Sequence, residues 1–176
     1  MRFEPLAIPG AYVIKIEPYT DDRGFFARTF CAEEFAGQGL VDHFAQTSIS
    51  FNARRGTIRG MHFSVEPHAE TKIVRCTAGA IHDVIVDLRQ GSETYLHSAG
   101  IELSAQNRRA IYIPAGLAHG FQVLADATEV LYMIDIPFVA AAARGIRWND
   151  PAIEIDWPEP ISVISERDLQ FPDWKP

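Results

Sequence analysis

Cysteine, positive charge and long apolar runs are all scarce in this chain. Two cysteines in 176 residues, Cys31 and Cys76, are too few for a disulfide framework, and Cys76 stands in an apolar run, so reduced thiols in a cytoplasmic setting are expected. Sixteen Lys and Arg face 23 Asp and Glu, a net charge of -7. That balance argues against a nucleic acid or an anionic membrane surface as the partner. It leaves room for an anionic small molecule held by a few arginines in a cleft. No window approaches the roughly 18 apolar residues of a membrane span. The opening "MRFEPLAIPG" lacks the basic region followed by an apolar stretch that marks a secretion signal. Low-complexity linkers, charge blocks and internal repeats are also missing, and the length suits one core. A single domain over 1–176 is therefore expected.

What the chain does have is many short runs of β-branched and aromatic residues bounded by Gly, Pro, Asn or Asp. Strands are expected in "AYVIKI", "FFARTF", "FAQTSIS", "TIRGMHF", "TKIVRC", "AIHDVIVDL", "HSAGIEL", "AIYIP", "GFQVLA" and "EVLYMIDI". So many at close spacing predict an all-β sandwich or barrel. "AEEFAGQG" reads as a helix, with a shorter one near "SERDL". The Pro- and Trp-rich tail from Trp148 is expected to wrap the barrel as irregular structure.

Period-two alternation assigns side chains to faces. In "TIRGMHF", Ile58, Gly60 and His62 share a face opposite Arg59, Met61 and Phe63, unless Gly60 bulges the strand. Lys72 lies with Val74 and Cys76, Tyr132 with Val130 and Ile134, and Asp83 between Ile81 and Ile85. Each strand thus sets one polar, titratable group among apolar neighbours. Singly, each has an ordinary explanation: a hydrogen-bonded core histidine, a lysine reaching the rim, a tyrosine with its hydroxyl at an edge, an aspartate paired with an arginine. Together they suggest a barrel interior lined for chemistry, since lysine and aspartate are seldom buried without a partner.

The blocks "DDRGFFARTF", "RGMHF", "TKIVRCTAGAIHDVIVDLRQGSET", "IYIPAGLAHGFQVL", "LYMIDIPF", "GIRWNDPAIEIDWP" and "ISERDLQFP" follow one another here in the order seen in dTDP-4-dehydrorhamnose 3,5-epimerases. The chain resembles that family from about Pro9 to Pro172. "PAGLAH" also resembles the second cupin motif. The resemblance implies a cupin-type jelly roll with one or two short helices, a homodimer, and no metal or organic cofactor. It implies a nucleotide-diphosphate 4-keto-6-deoxyhexose as substrate. A C4 ketone acidifies the hydrogens on C3 and C5, a base removes one, and an acid on the opposite face returns it inverted. By resemblance His62 is the base, Asp168 the carboxylate that orients it, Tyr132 the acid and Lys72 the group near O4. Arg23, Gln46, Arg59, His119 and Arg167 match substrate-binding positions, with Arg23 reaching the partner subunit's site.

The chain departs from the family pattern at Arg28, Ser48 and Phe138, where a Glu, an Asn and a Tyr are usual, and near Ala143 in "AAAARG". These belong largely to the part that reads the nucleotide, so two outcomes are expected with the proton chemistry kept: an altered nucleotide or sugar, or loop drift in an ordinary rhamnose-pathway enzyme. Two other enzymes and a binder compete. A metal cupin would use His62 and His119 with Glu66, His68 or Glu70, but Ser64 stands where a His-x-His motif needs its second histidine. A sugar-nucleotide 3,4-ketoisomerase would differ in product, not in fold. A non-catalytic binding module would have no need for an acid opposite a base.

Overall fold

A computed structural model describes residues 1–175. Thirteen strands and two short helices follow in order: β1 (Arg2–Pro5), β2 (Tyr12–Lys15), β3 (Tyr19–Asp21), β4 (Gly24–Phe26), α1 (Ala32–Gly37), β5 (Gln46–Asn52), β6 (Ile58–Ser64), β7 (Lys72–Ala78), β8 (Ala80–Asp87), β9 (Ser98–Ser104), β10 (Ala110–Ile113), β11 (Leu117–Val123), β12 (Thr128–Ile134), β13 (Ala143–Gly145) and α2 (Glu166–Leu169). Two antiparallel sheets, ordered β1-β2-β10-β7-β12-β5 and β13-β6-β11-β8-β9, enclose one main core. This is the expected jelly-roll barrel, with β3 and β4 forming a separate two-stranded ribbon.

Three strands, β1, β3 and β13, escape the alternation reading, and β4 is shorter than expected. β1 and β13 are short, and β13 (Ala143–Gly145) has no β-branched side chain; it is held by backbone pairing to β6, Ala143 against Ser64. Only Gly24–Phe26 of "FFARTF" and its flank is strand, because β3 is the sole partner there and the ribbon touches little else.

The inward-facing residues divide the barrel lengthwise. At one end Ile8, Ala11, Cys76, Ile81, Leu103, Ile111, Val123 and Val130 pack into a dry core, each large side chain contributing about 1.5–3 kcal/mol of burial. Moving along the same faces, Val74 gives way to Lys72, Val130 to Tyr132, Ile81 to Asp83 and Phe121 to His119. The apolar plug therefore forms the floor of a polar cavity.

Two features outside the barrel fix its ends. Asp87, fully buried at the end of β8, accepts from Arg89 Nε at 2.8 Å, Ser92 Oγ at 2.6 Å and Thr94 Oγ1 at 2.7 Å, closing the loop to β9. The tail runs beside the start of β6 through an isolated parallel bridge, Thr57 to Val163, and a 2.8 Å bond from Ile58 N–H to the Val163 carbonyl. It then packs Trp157 and Trp174 over an outer cluster containing Met61, Val86 and Ile146.

Candidate active site

A cavity of about 300 Å³ opens between the sheets, lined by Ser48, Ile49, Ser50, Arg59, His62, Lys72, His119, Phe121, Tyr132 and Ile134. Strict alternation would turn either Arg59 or His62 away from it. The structure corrects that: β6 pairs with β11 as His62 to His119 and Arg59 to Phe121, so three steps along β6 match two along β11. The extra residue is a bulge at Gly60, whose φ of +137 only glycine adopts freely, and a Cβ there would stand 2.6 Å from Gly120 Cα. Both side chains consequently face the cavity, while Met61 turns outward into the cluster under the tail.

His62 is held from behind. Its Nε2 lies 2.8 Å from Asp168 Oδ1, and Asp168 Oδ2 accepts the Gly60 N–H at 3.2 Å. Asp168 sits in the single turn of α2, where its own N–H donates to the Ser165 cap hydroxyl at 3.1 Å. Burial alone would raise the Asp168 pKa, but the hydrogen bonds from His62 and Gly60 outweigh it and the carboxyl falls below its usual value. An ionised carboxylate only accepts, so Nε2 carries the proton and the lone pair is on Nδ1. The Phe171 ring stands edge-on to His62 at 5.6 Å. It fits because residue 145 is glycine; a Cβ there would lie 2.3 Å from the ring.

Tyr132 comes from the facing sheet. Burial raises its pKa, and the nearby Asp83 charge raises it further against smaller opposing effects of Arg59 and the Ser50 hydroxyl. The phenol therefore holds its proton. Lys72, on β7 beside it, pairs with Glu70 Oε1 at 2.8 Å, both side chains being nearly buried. Arg59 is steadied by Asn52, whose Oδ1 accepts from Nε at 2.7 Å. His119 forms a second histidine–carboxylate pair, Nε2 to Asp83 Oδ2 at 2.9 Å.

His62, Lys72, Arg59, His119, Tyr132 and, behind His62, Asp168 are thus brought together as the sequence led us to expect. Three others are not. Arg23 projects at the end of the β3–β4 ribbon, 90% exposed and paired with Asp21. Gln46, opposite Ile134 at the start of β5, accepts the Phe138 N–H at 3.1 Å. Arg167 is exposed, its guanidinium 5.6 Å from the centre of the Phe171 ring. Of the departures, Ser48 lines the cavity, whereas Arg28 pairs with Glu34 at 3.2 Å elsewhere and Phe138 is exposed.

Asn52 and Phe171 were not assigned to the site from sequence, and Asp83 was placed inside the barrel without a role. Asn52 follows Ser48 and Ser50 at period two on β5, and Asp83 interrupts an apolar strand, so both left a trace; Phe171 left none. The metal-cupin donor set does not assemble: among the described residues no three His, Cys, Asp or Glu side chains converge. Each cavity histidine is engaged by its own carboxylate, and Glu70 by Lys72.

His62 and Tyr132 thus stand on facing sheets around one cavity that Arg59 and Lys72 also line. Known proteins share the whole framework. The family model for dTDP-4-dehydrorhamnose 3,5-epimerase matches residues 5–176. A dTDP-4-dehydrorhamnose 3,5-epimerase of Sinorhizobium fredii is 42% identical over 98% of this chain and 89% of its own length. The structure of a dTDP-6-deoxy-D-glucose-3,5-epimerase from Legionella pneumophila, in complex with dTDP-4-keto-L-rhamnose, superposes with a TM-score of 0.91 at 32% identity, covering 98% of this chain and 92% of that one. A 3'-monoepimerase from Streptomyces bikiniensis, bound to dTDP-quinovose, gives 0.89 at 31% identity over 96% and 86% of the two chains. Sequence, fold and cavity agree: this chain belongs to the dTDP-4-dehydrorhamnose 3,5-epimerase family.

Proposed function

We propose that the protein epimerises a nucleotide-diphosphate 4-keto-6-deoxyhexose at C3, C5 or both, in deoxysugar biosynthesis. The observation that carries this reading is the placement of the His62–Asp168 pair and Tyr132 on facing sheets around one cavity. His62 Nδ1 takes the proton from carbon, and the bond's electrons pass to O4 as an enolate. Lys72 offsets the charge developing on O4. Tyr132 then gives its phenolic proton to the opposite face of the same carbon, leaving imidazolium and tyrosinate that reset by exchange with solvent. A ketone-activated C–H needs no external electron acceptor, and no cofactor is invoked.

Arg59 suits the diphosphate, because its planar fork can bond two phosphate oxygens at once. Gln46 and Arg167, at the rim, are proposed to extend substrate contact, with His119 inside. The working form is proposed as a cytoplasmic homodimer. Tyr19, Phe25 and Phe26 on the ribbon are exposed, as are Ile49 and Phe51 on the edge strand β5, an apolar surface that a second chain would cover. Arg23 is then proposed to reach the partner's cavity, which explains why it lies away from its own.

The test is incubation with a panel of nucleotide 4-ketosugars in heavy water. Deuterium at C3 or C5 with inversion supports epimerisation, and the best substrate names the nucleotide. Migration of the ketone to C3 would instead establish a ketoisomerase, and binding without exchange a binding module.

A further inference from the structure

Asp83 is fully buried, and only one of its two oxygens has a partner. Oδ2 takes His119 Nε2 at 2.9 Å, while Oδ1 has no hydrogen bond among the described residues. Leaving a buried carboxylate half satisfied costs free energy. Its strand neighbours on the same face, Ile81 and Ile85, belong to the apolar core, so Asp83 is a charge between two apolar side chains on that face of the strand. The charge stands where it affects two cavity groups. His119 and Tyr132 have ring centres 6.1 Å apart, and both line the space between the sheets.

We propose that Asp83 is a positioning residue for the proton-donor half of the reaction. It holds His119 by Nε2 so that Nδ1 offers a lone pair to a sugar hydroxyl, and it sets a fixed negative charge beside Tyr132. This inference deepens the epimerase reading and rests on it. The hydrogen-bond argument is the one applied to His62: an ionised carboxylate accepts only, so the proton is on Nε2 and Nδ1 accepts. His119 donates nothing toward the substrate in this state; it orients a hydroxyl of the ring whose carbon Tyr132 protonates. The charge acts on the phenol itself. Groups facing it from the other strands are Arg59 and His62 on β6, Lys72 on β7 and His119 on β11, with Glu70 bound to Lys72 and Asp168 behind His62. Of the charges, Arg59 favours tyrosinate and Asp83 opposes it. A diphosphate bound to Arg59 would remove the first influence and leave the second, so the phenol keeps its proton until an enolate is there to take it.

Two measurements test this. In the unmodified protein, 15N NMR of the histidine ring should find His119 as the Nε2–H form near neutral pH; an Nδ1–H form overturns the proposal without any variant. Asp83→Asn keeps the shape and removes the charge. In it, net inversion should fall about tenfold or more while deuterium wash-in at the position His62 deprotonates falls less, and inversion should decline at lower alkaline pH than in the parent. Loss of both in equal measure, or of neither, overturns the proposal. Failure of the parent protein to exchange any 4-ketosugar would instead remove the epimerase reading, and the His119 tautomer would still decide what Asp83 does.

Discussion

His62 and His119 are cross-strand partners, yet they bind carboxylates from opposite directions. His62 takes Asp168 from the tail, and His119 takes Asp83 from the neighbouring strand β8. In both pairs the bond is made through Nε2, which leaves Nδ1 of each ring as the nitrogen with the lone pair. Tyr132, on the other sheet, is the only phenol of the cavity lining. His62 and Tyr132 therefore cannot exchange places by a small rotation.

Replacing His62 by Ala should abolish deuterium incorporation at C3 and C5 alike, a loss of at least about 10²–10⁴-fold. NMR of the sugar in heavy water reads this directly. Exchange at the parent rate would mean that another group is the base.

Tyr132→Phe should separate two quantities that His62→Ala lowers together. The base still works, so some wash-in persists, but net inversion falls by roughly 10²-fold or more. Parallel loss of both would assign Tyr132 a different task.

Arg23→Ala and His62→Ala should each be nearly inactive, and a mixture of the two should recover activity. In a mixed dimer one site has its own His62 and the partner's Arg23, so random re-pairing restores roughly a quarter of the sites. A mixture as inactive as its components, or a monomer at micromolar concentration by sedimentation, would refute the shared site.

Stability at acid pH should depend on Asp87. Burial by itself would raise its pKa, but hydrogen bonds from Arg89, Ser92 and Thr94 prevail and lower it below its ordinary value of 3.8. A carboxyl with a lower pKa folded than unfolded stabilises the fold above the unfolded value, and that contribution is lost as pH falls further. Asp87→Asn should cost about 1–3 kcal/mol at pH 7. The gap between variant and parent in thermal unfolding should narrow below pH 3.8; a constant gap down to pH 2 would refute the linkage.

Ser48→Asn should change substrate affinity more than the chemistry, because Ser48 lines the cavity as the cross-strand neighbour of Tyr132 on β5 but is not part of the His62–Asp168 pair. One hydrogen bond gained or lost is about 0.5–1.5 kcal/mol, a two- to twelvefold change in KM at constant kcat. An equal fall in kcat would place Ser48 in the proton-transfer step.

The barrel was legible because its strands alternate. Val74 and Cys76 place Lys72, Val130 places Tyr132, and Ile81 and Ile85 place Asp83, all on the inner face where the structure has them. Of the cavity's contents, Arg59, His62, Lys72, His119 and Tyr132 were legible from the resemblance. Alternation left a bulge at Gly60 open as the exception, and laying β6 against β11 shows that the exception holds. The Asp83–His119 pair was hidden: side chains that meet diagonally across neighbouring strands, 36 residues apart, leave no periodic mark. Phe171 was hidden because its place depends on a missing side chain at Gly145.

The tail that carries Asp168 has a bearing on how the protein is made. Every strand of the barrel precedes it in the chain, and the carboxylate is 106 residues beyond the histidine it serves. During synthesis every strand leaves the ribosome before Asp168 does, so His62 is available to β6 ahead of the group that fixes it. A chain cut short before Ser165 would keep the barrel and its cavity and lack the group that fixes the base.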